Sequence, residues 1–185
     1  MKKMGDNKKK ISASRITTKD ITQIAMMVAV IEVCKVVLMG IPNVELTSFW
    51  IIMFALFFGS KIFLVIPVFI LIEGVMFGFG LWWVMYLYAW PLLAIVARMM
   101  RKTESVIAWS ILSGMFGLSF GFLCSLPYAV IGTVDGNLAS GLRAGFQYFI
   151  AGIPFDMIHC VGNFVIMLVL YYPIKSVMKV VKKMD

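Results

Sequence analysis

Charge and histidine are what this sequence has least of. Only 14% of its 185 residues are Asp, Glu, Lys or Arg, and the one histidine is His159. A soluble domain carries about 25% charged residues, and with 62% of the chain hydrophobic the shortfall excludes an ordinary water-facing fold. Cysteine is scarce too. Cys34, Cys124 and Cys160 each sit in an apolar run without C-x-x-C spacing, so they read as core packing rather than a disulfide framework or a structural zinc site. Catalytic signatures are missing: there is no HExxH, no GxSxG, no phosphate-cradling GxxxxGK[ST] and no acidic cluster with two-metal spacing,. No catalytic residue, metal ligand or cofactor is therefore assigned, and uphill transport would need an ATPase on another subunit. The first twenty residues, MKKMGDNKKKISASRITTKD, have neither an apolar h-region nor a small-residue cleavage site, which predicts a retained cytoplasmic tail rather than a cleaved signal peptide.

What the sequence has in abundance is apolar runs. Six of them, near 20–40, 46–59, 61–79, 82–100, 105–131 and 144–173, are bounded by polar residues, Gly or Pro and predict an all-α integral membrane protein with six transmembrane helices,. The second run is short. Fourteen helical residues reach about 20 Å against a hydrocarbon core of roughly 30 Å, so the preceding GIPNVELTS segment is expected to dip into the bilayer. Basic residues sort by side: seven of the 17 Lys and Arg lie in residues 1–20, Lys61, Arg98, Arg101 and Lys102 follow two helices apart, and four lie between Lys175 and Lys183. The positive-inside rule then puts the N and C termini in the cytoplasm, with loops 40–46, 79–82 and 132–143 outside, Arg143 among them. The same distribution explains the net charge of +8 without nucleic acid as a partner. The expected organisation is a basic tail at 1–19, a six-helix domain at 20–175 and a second basic tail at 176–185.

Ionisable groups inside such helices are expensive unless paired or wetted, so each one is a candidate. The stretch FIAGIPFDMIHCVGNF places Gly152, Asp156, His159 and Asn163 at i, i+4, i+7 and i+11, one stripe of a helix,; it fits a ligand floor or a helix-packing lock. Glu32 and Lys35 are one turn apart on helix one and fit a mutual ion pair or a ligand contact. Helix five carries Ser113, Gly117, Gly121 and Ser125 at four-residue spacing, a ridge for close helix approach,. Helix one carries Ala25 and Ala29 at the same spacing, which by itself favours internal packing. Glu73, near the end of helix three, fits a pocket wall or the membrane interface. Trp83, Tyr86 and Trp90 share a face at i, i+3 and i+7, as an aromatic belt or a wall for a flat ligand. Asn43 and Glu45 in the first loop, and Asp135, Asn137 and Arg143 in the last, fit either solvated loops or segments that close over a ligand.

These features together, a small six-helix body with an Ala-xxx-Ala in helix one, a short second helix behind an outer loop, and GIPFD-x-I-H-x-x-x-N at 152–163, resemble the substrate-binding S components of energy-coupling factor (ECF) vitamin transporters. The resemblance covers nearly the whole chain. It implies a plasma-membrane, multi-pass bacterial protein that captures a vitamin outside the cell and delivers it inward. The partners it implies are a transmembrane scaffold subunit, docked on Ala25 and Ala29, and two cytoplasmic ATPases. The implied ligand site has Asn43 and Glu45 in a lid, Trp83, Tyr86 and Trp90 along the wall, Arg143 and Gln147 at the mouth, and Asp156, His159 and Asn163 toward the floor; Glu73 joins the candidates on its own position. Ligands implied are a corrinoid, pantothenate, folate, riboflavin or a related precursor. Two other classes stay open: a secondary transporter or channel relaying protons or ions through Glu32, Lys35 and Asp156, and a small intramembrane enzyme using Asp156 and His159 as an acid/base pair.

Overall fold

The computed structural model describes residues 16–183, and among these the chain is all α-helical, with no strand. Six α-helices follow one another: α1 (Thr18–Leu38), α2 (Thr47–Phe57), α3 (Ile62–Phe77), α4 (Leu81–Met99), α5 (Val106–Val134) and α6 (Leu138–Lys183), with a single 3₁₀ turn at Gly59–Lys61. The basic segment expected at 1–19 lies almost wholly outside the described residues. Helix starts follow local chemistry. Thr17 caps α1 through a reciprocal box, its hydroxyl accepting from the Asp20 amide at 3.2 Å while the Asp20 carboxylate accepts from the Thr17 amide at 2.9 Å,. Gly78, at φ +88, ends α3 in a backbone conformation that a side chain would strain,.

Five of these helices, all but α2, are long and apolar enough to cross a membrane, α3 together with the 3₁₀ turn that leads into it. Their outward faces are apolar as well: Val75 is 72% exposed and Val161 60%, which suits lipid and not water. The chain is thus an all-α membrane protein. The 11-residue α2 spans only about 16 Å,, and its residues from Thr47 to Ala55 are buried except Trp50. It is a half-length central helix, and the 39–46 segment folds inward to reach its start. Val44 and the Asn43 carbonyl approach α6 beside Gly162, where a methyl group would stand 3.7 Å from each.

Helices α5 and α6 form the longest contact. The predicted small-residue ridge is its basis: a methyl on Gly117 would stand 2.8 Å from the His159 carbonyl oxygen, one on Gly114 3.2 Å from that of Cys160, and one on Gly145 of α6 2.8 Å from the Ala129 side chain. Backbones meet because no side chain separates them. The boundaries here differ from the sequence reading. Residues 132–143, expected as an outer loop, are helical except for the 135–137 turn, and α6 runs unbroken through the expected tail boundary at 175/176 to Lys183. Polar residues at both places suggest loops, but a helix satisfies its own backbone hydrogen bonds and continues past the apolar run that started it.

Candidate functional site

Two adjoining cavities lie between the inward-folded 39–46 segment and helices α4, α5 and α6. The first, about 250 Å³, is lined by Lys35, Asn43, Glu45, Tyr86, Phe120 and His159 among others. The second, about 370 Å³, is walled in part by Asn43, Phe120, Gly121, Tyr148, Gly152 and Asp156. Asn43 and Phe120 face both. Asn43 takes φ +57, a left-handed conformation that asparagine tolerates better than most side chains, and this lets the segment reverse into the bundle.

His159 and Glu45 close the first cavity. The His159 Nε2 and Glu45 Oε1 atoms are 3.1 Å apart, joining residues 114 positions distant in the chain. Glu45 stands one residue before the N-cap of α2, where unpaired amides give the helix end a partial positive charge. Burial by itself would raise the Glu45 carboxyl, but the His159 hydrogen bond and charge, with Lys35 and Thr47, outweigh it and hold the carboxyl below its ordinary 4.5. On the opposite wall Lys35 forms an ion pair with Glu73 of α3 and reaches the Tyr86 hydroxyl at 3.4 Å. Of the two roles open to Glu32 and Lys35, a mutual ion pair or a ligand contact, the mutual pair is not formed, while Lys35 does line the first cavity. Lys35 turns across to the neighbouring helix and meets the fully buried Glu73, and Glu32 is left with both carboxyl oxygens buried and without a hydrogen bond.

The α6 stripe divides its work. Asn163, 1% exposed, donates to the Ser48 hydroxyl at 3.2 Å and the Ser113 carbonyl at 3.3 Å, tying α6 to α2 and α5 beneath the cavities. His159 faces the first cavity with Phe120 edge-on at 5.2 Å. Asp156 faces the second, one carboxylate oxygen accepting from the Gly121 amide at 2.9 Å and the other without a partner. Asp156 and His159 thus engage different groups and different cavities.

Several sequence-predicted residues fall elsewhere. Trp83 turns toward α3, its indole donating to the Ile70 carbonyl at 2.8 Å and its ring packing on Phe79 at 5.2 Å. The aromatic row on α4 is instead Trp82, Tyr86 and Trp90 at four-residue spacing, packed edge to face with successive centroids 5.3 Å apart, because α4 is rotated to put Trp83 against Gly74. Trp90 is fully buried behind Phe116 and Phe120, 5.6 Å from each, and supports the wall without lining it. Glu73 likewise stands behind Lys35, not on the cavity and not at the interface. Arg143 and Gln147 line a separate cavity of about 510 Å³ with Asn137 and Ser140 at the start of α6; Arg143 is sixteen residues from His159, about 24 Å along the helix,. Asp135, Asn137 and Arg143 line neither cavity. Ala25 and Ala29 are exposed on the outer face of α1, contrary to the spacing-based expectation of an internal contact.

Phe120 and Tyr148 line the cavities without being marked by the sequence patterns above. Tyr148 sits at i−4 from Gly152 and i−8 from Asp156, so extending the stripe toward the N-terminus finds it. It stacks on Tyr128 with centroids 4.1 Å apart. Phe120 has no such signal, since nothing in its own run marks it out from neighbouring phenylalanines. No known protein family, no curated protein and no solved structure matches the chain.

Proposed function

We propose that this chain is a substrate-binding S component of an ECF-type vitamin transporter, with six membrane segments and both termini in the cytoplasm. It binds a water-soluble micronutrient from outside and carries it inward by reorienting when partner ATPases drive a scaffold subunit. The observation that carries the reading is the latch between Glu45 and His159. It holds a connecting segment down over two adjoining cavities inside a membrane bundle, which is the arrangement a capture protein needs. Further support comes from the outward-facing Ala25 and Ala29, a small-residue face on which another membrane helix packs closely.

The test is mass spectrometry of the solvent extract from the purified chain, with affinity capture of a scaffold and two ATPases from its native membrane. A stoichiometric vitamin-like compound and the three-component assembly are expected; a chain that captures neither refutes the proposal. A second reading, an autonomous transporter, draws on the buried group of Glu32, Glu73 and Lys35, two carboxyls against one ammonium, which suits proton or cation exchange. The relay through Glu32, Lys35 and Asp156 is less direct, since Lys35 and Asp156 face separate cavities. Substrate accumulation in proteoliposomes holding only this chain would favour the autonomous transporter over the S component.

A further inference from the structure

The second cavity contains a carboxyl group with one unpartnered oxygen. Asp156 is 6% exposed and is the only charged side chain among the residues lining that cavity. The Gly121 amide, 2.9 Å away, satisfies Oδ1, while Oδ2 is buried with no hydrogen bond. The nearest cation-forming side chain on the same helix, His159, is turned away into the other cavity and held there by Glu45. Lys35 is committed to Glu73. An ionised carboxylate removed from water costs several kcal/mol unless a cation or further donors meet it, and no side chain among the described residues donates to Oδ2.

Oδ2 is itself buried against Gly121, so a ligand meets it once the carboxylate turns toward the cavity that Asp156 lines. Gly121 lies against the carboxylate on one side, and on the other a methyl on Gly152 would stand 3.7 Å from Oδ2. Both glycines line the cavity with it. Phe120 and Tyr148 are aromatic residues of the same wall, and aromatic rings attract cations as well as apolar rings. The cavity volume of about 370 Å³ falls within the range of small-molecule sites, roughly 300–1,000 Å³.

Resting on the substrate-binding reading and refining it, we infer that Asp156 is the anchor for a cationic ligand group, a protonated amine or amidine attached to an apolar or aromatic ring, and that the cavity selects against carboxylates. The carboxylate turns into the cavity and accepts from the ammonium, while the ring lies beside Phe120 and Tyr148.

Two probes of equal ring size and opposite charge test this, 4-fluorobenzylammonium and 4-fluorobenzoate, titrated by fluorine NMR onto the full chain in nanodiscs with empty nanodiscs as the blank. Saturable binding of the ammonium alone is expected, weakened about ten- to a hundredfold by Asp156→Asn, the worth of a charge-assisted hydrogen bond. The asparagine keeps an acceptor for the Gly121 amide and nearly the same volume, so the fold is retained. Should that variant not fold, Gly152→Leu fills the space beside the carboxylate and is expected to abolish ammonium binding with the charge intact. Preference for the benzoate, or ammonium binding unchanged by both variants, overturns the assignment. Saturable benzoate binding would leave the substrate-binding reading standing with the charge class reversed, whereas no saturable binding of either probe removes the cavity as a ligand site and both readings of it.

Discussion

Two glycines flank Asp156, and the geometry predicts opposite consequences for giving each a methyl group. On Gly121 the new Cβ would stand 2.8 Å from the Asp156 Cγ and closer still to Oδ2, so α5 and α6 must separate or the carboxylate must swing away. Overpacking of this kind costs about 1–3 kcal/mol. Displacing the carboxylate also breaks its bond to the Gly121 amide, a charge-assisted contact worth about 1.5–3 kcal/mol. Against this, alanine is favoured over glycine within a helix by about 1 kcal/mol, leaving a net loss of about 1.5–5 kcal/mol for Gly121→Ala. On Gly152 the methyl would meet Oδ2 at 3.7 Å, an ordinary contact, so only the helix preference acts and Gly152→Ala is neutral or stabilising by about 1 kcal/mol. Denaturant unfolding of both variants in mixed micelles, followed by tryptophan fluorescence, gives the comparison. Equal destabilisation of the two, or a Gly121→Ala chain as stable as the parent, would refute the account of α5–α6 packing.

Other expectations follow from the same contacts. Lys35→Met leaves Glu73 fully buried without its cation and is expected to cost about 3–5 kcal/mol, with much of the loss recovered in the Lys35→Met/Glu73→Leu double variant; a double variant no better than the single would show that the pair is not what matters. Asn163→Ala removes two buried hydrogen bonds and should lower stability by about 1–3 kcal/mol, while leaving ligand affinity in the folded fraction unchanged. Glu45→Gln should loosen the 39–46 segment, seen as faster amide exchange over those residues with little change in helix content. For pH, the Glu45 carboxyl is held below its ordinary 4.5 by His159, against its burial. Its contribution is therefore complete above pH 4.5 and is lost as pH falls through the lower folded-state value; exchange over 39–46 that rises already between pH 7 and pH 5 would contradict it.

Much of this architecture is legible in the sequence because membrane helices announce themselves. Each span must satisfy its own backbone hydrogen bonds and face hydrocarbon, so apolar runs bounded by Gly, Pro or charge locate all six helices. Glycine spacing on α5 marks the ridge that meets α6, since only small residues let two backbones touch. The short second run and the inward loop before it follow from length alone. Helix ends are harder to read. Residues 138–143 and 176–183 are polar enough to look like loop and tail, yet they extend α6, because helix continuation is decided by what the last turns rest on, in this case α5 at one end.

The site divides along the same line. Period 3.6 identifies Gly152, Asp156, His159 and Asn163 as one stripe from sequence alone, because residues on a single helix have fixed relative positions. What each of them faces was decided by tertiary structure. The pairing of Lys35 with Glu73 in place of Glu32, the exchange of Trp82 for Trp83 in the edge-to-face aromatic row, and the meeting of Glu45 with a histidine 114 residues away all depend on how each helix is rotated about its axis against its neighbours. That rotation is set by packing summed over whole helix faces, so no local spacing contains it.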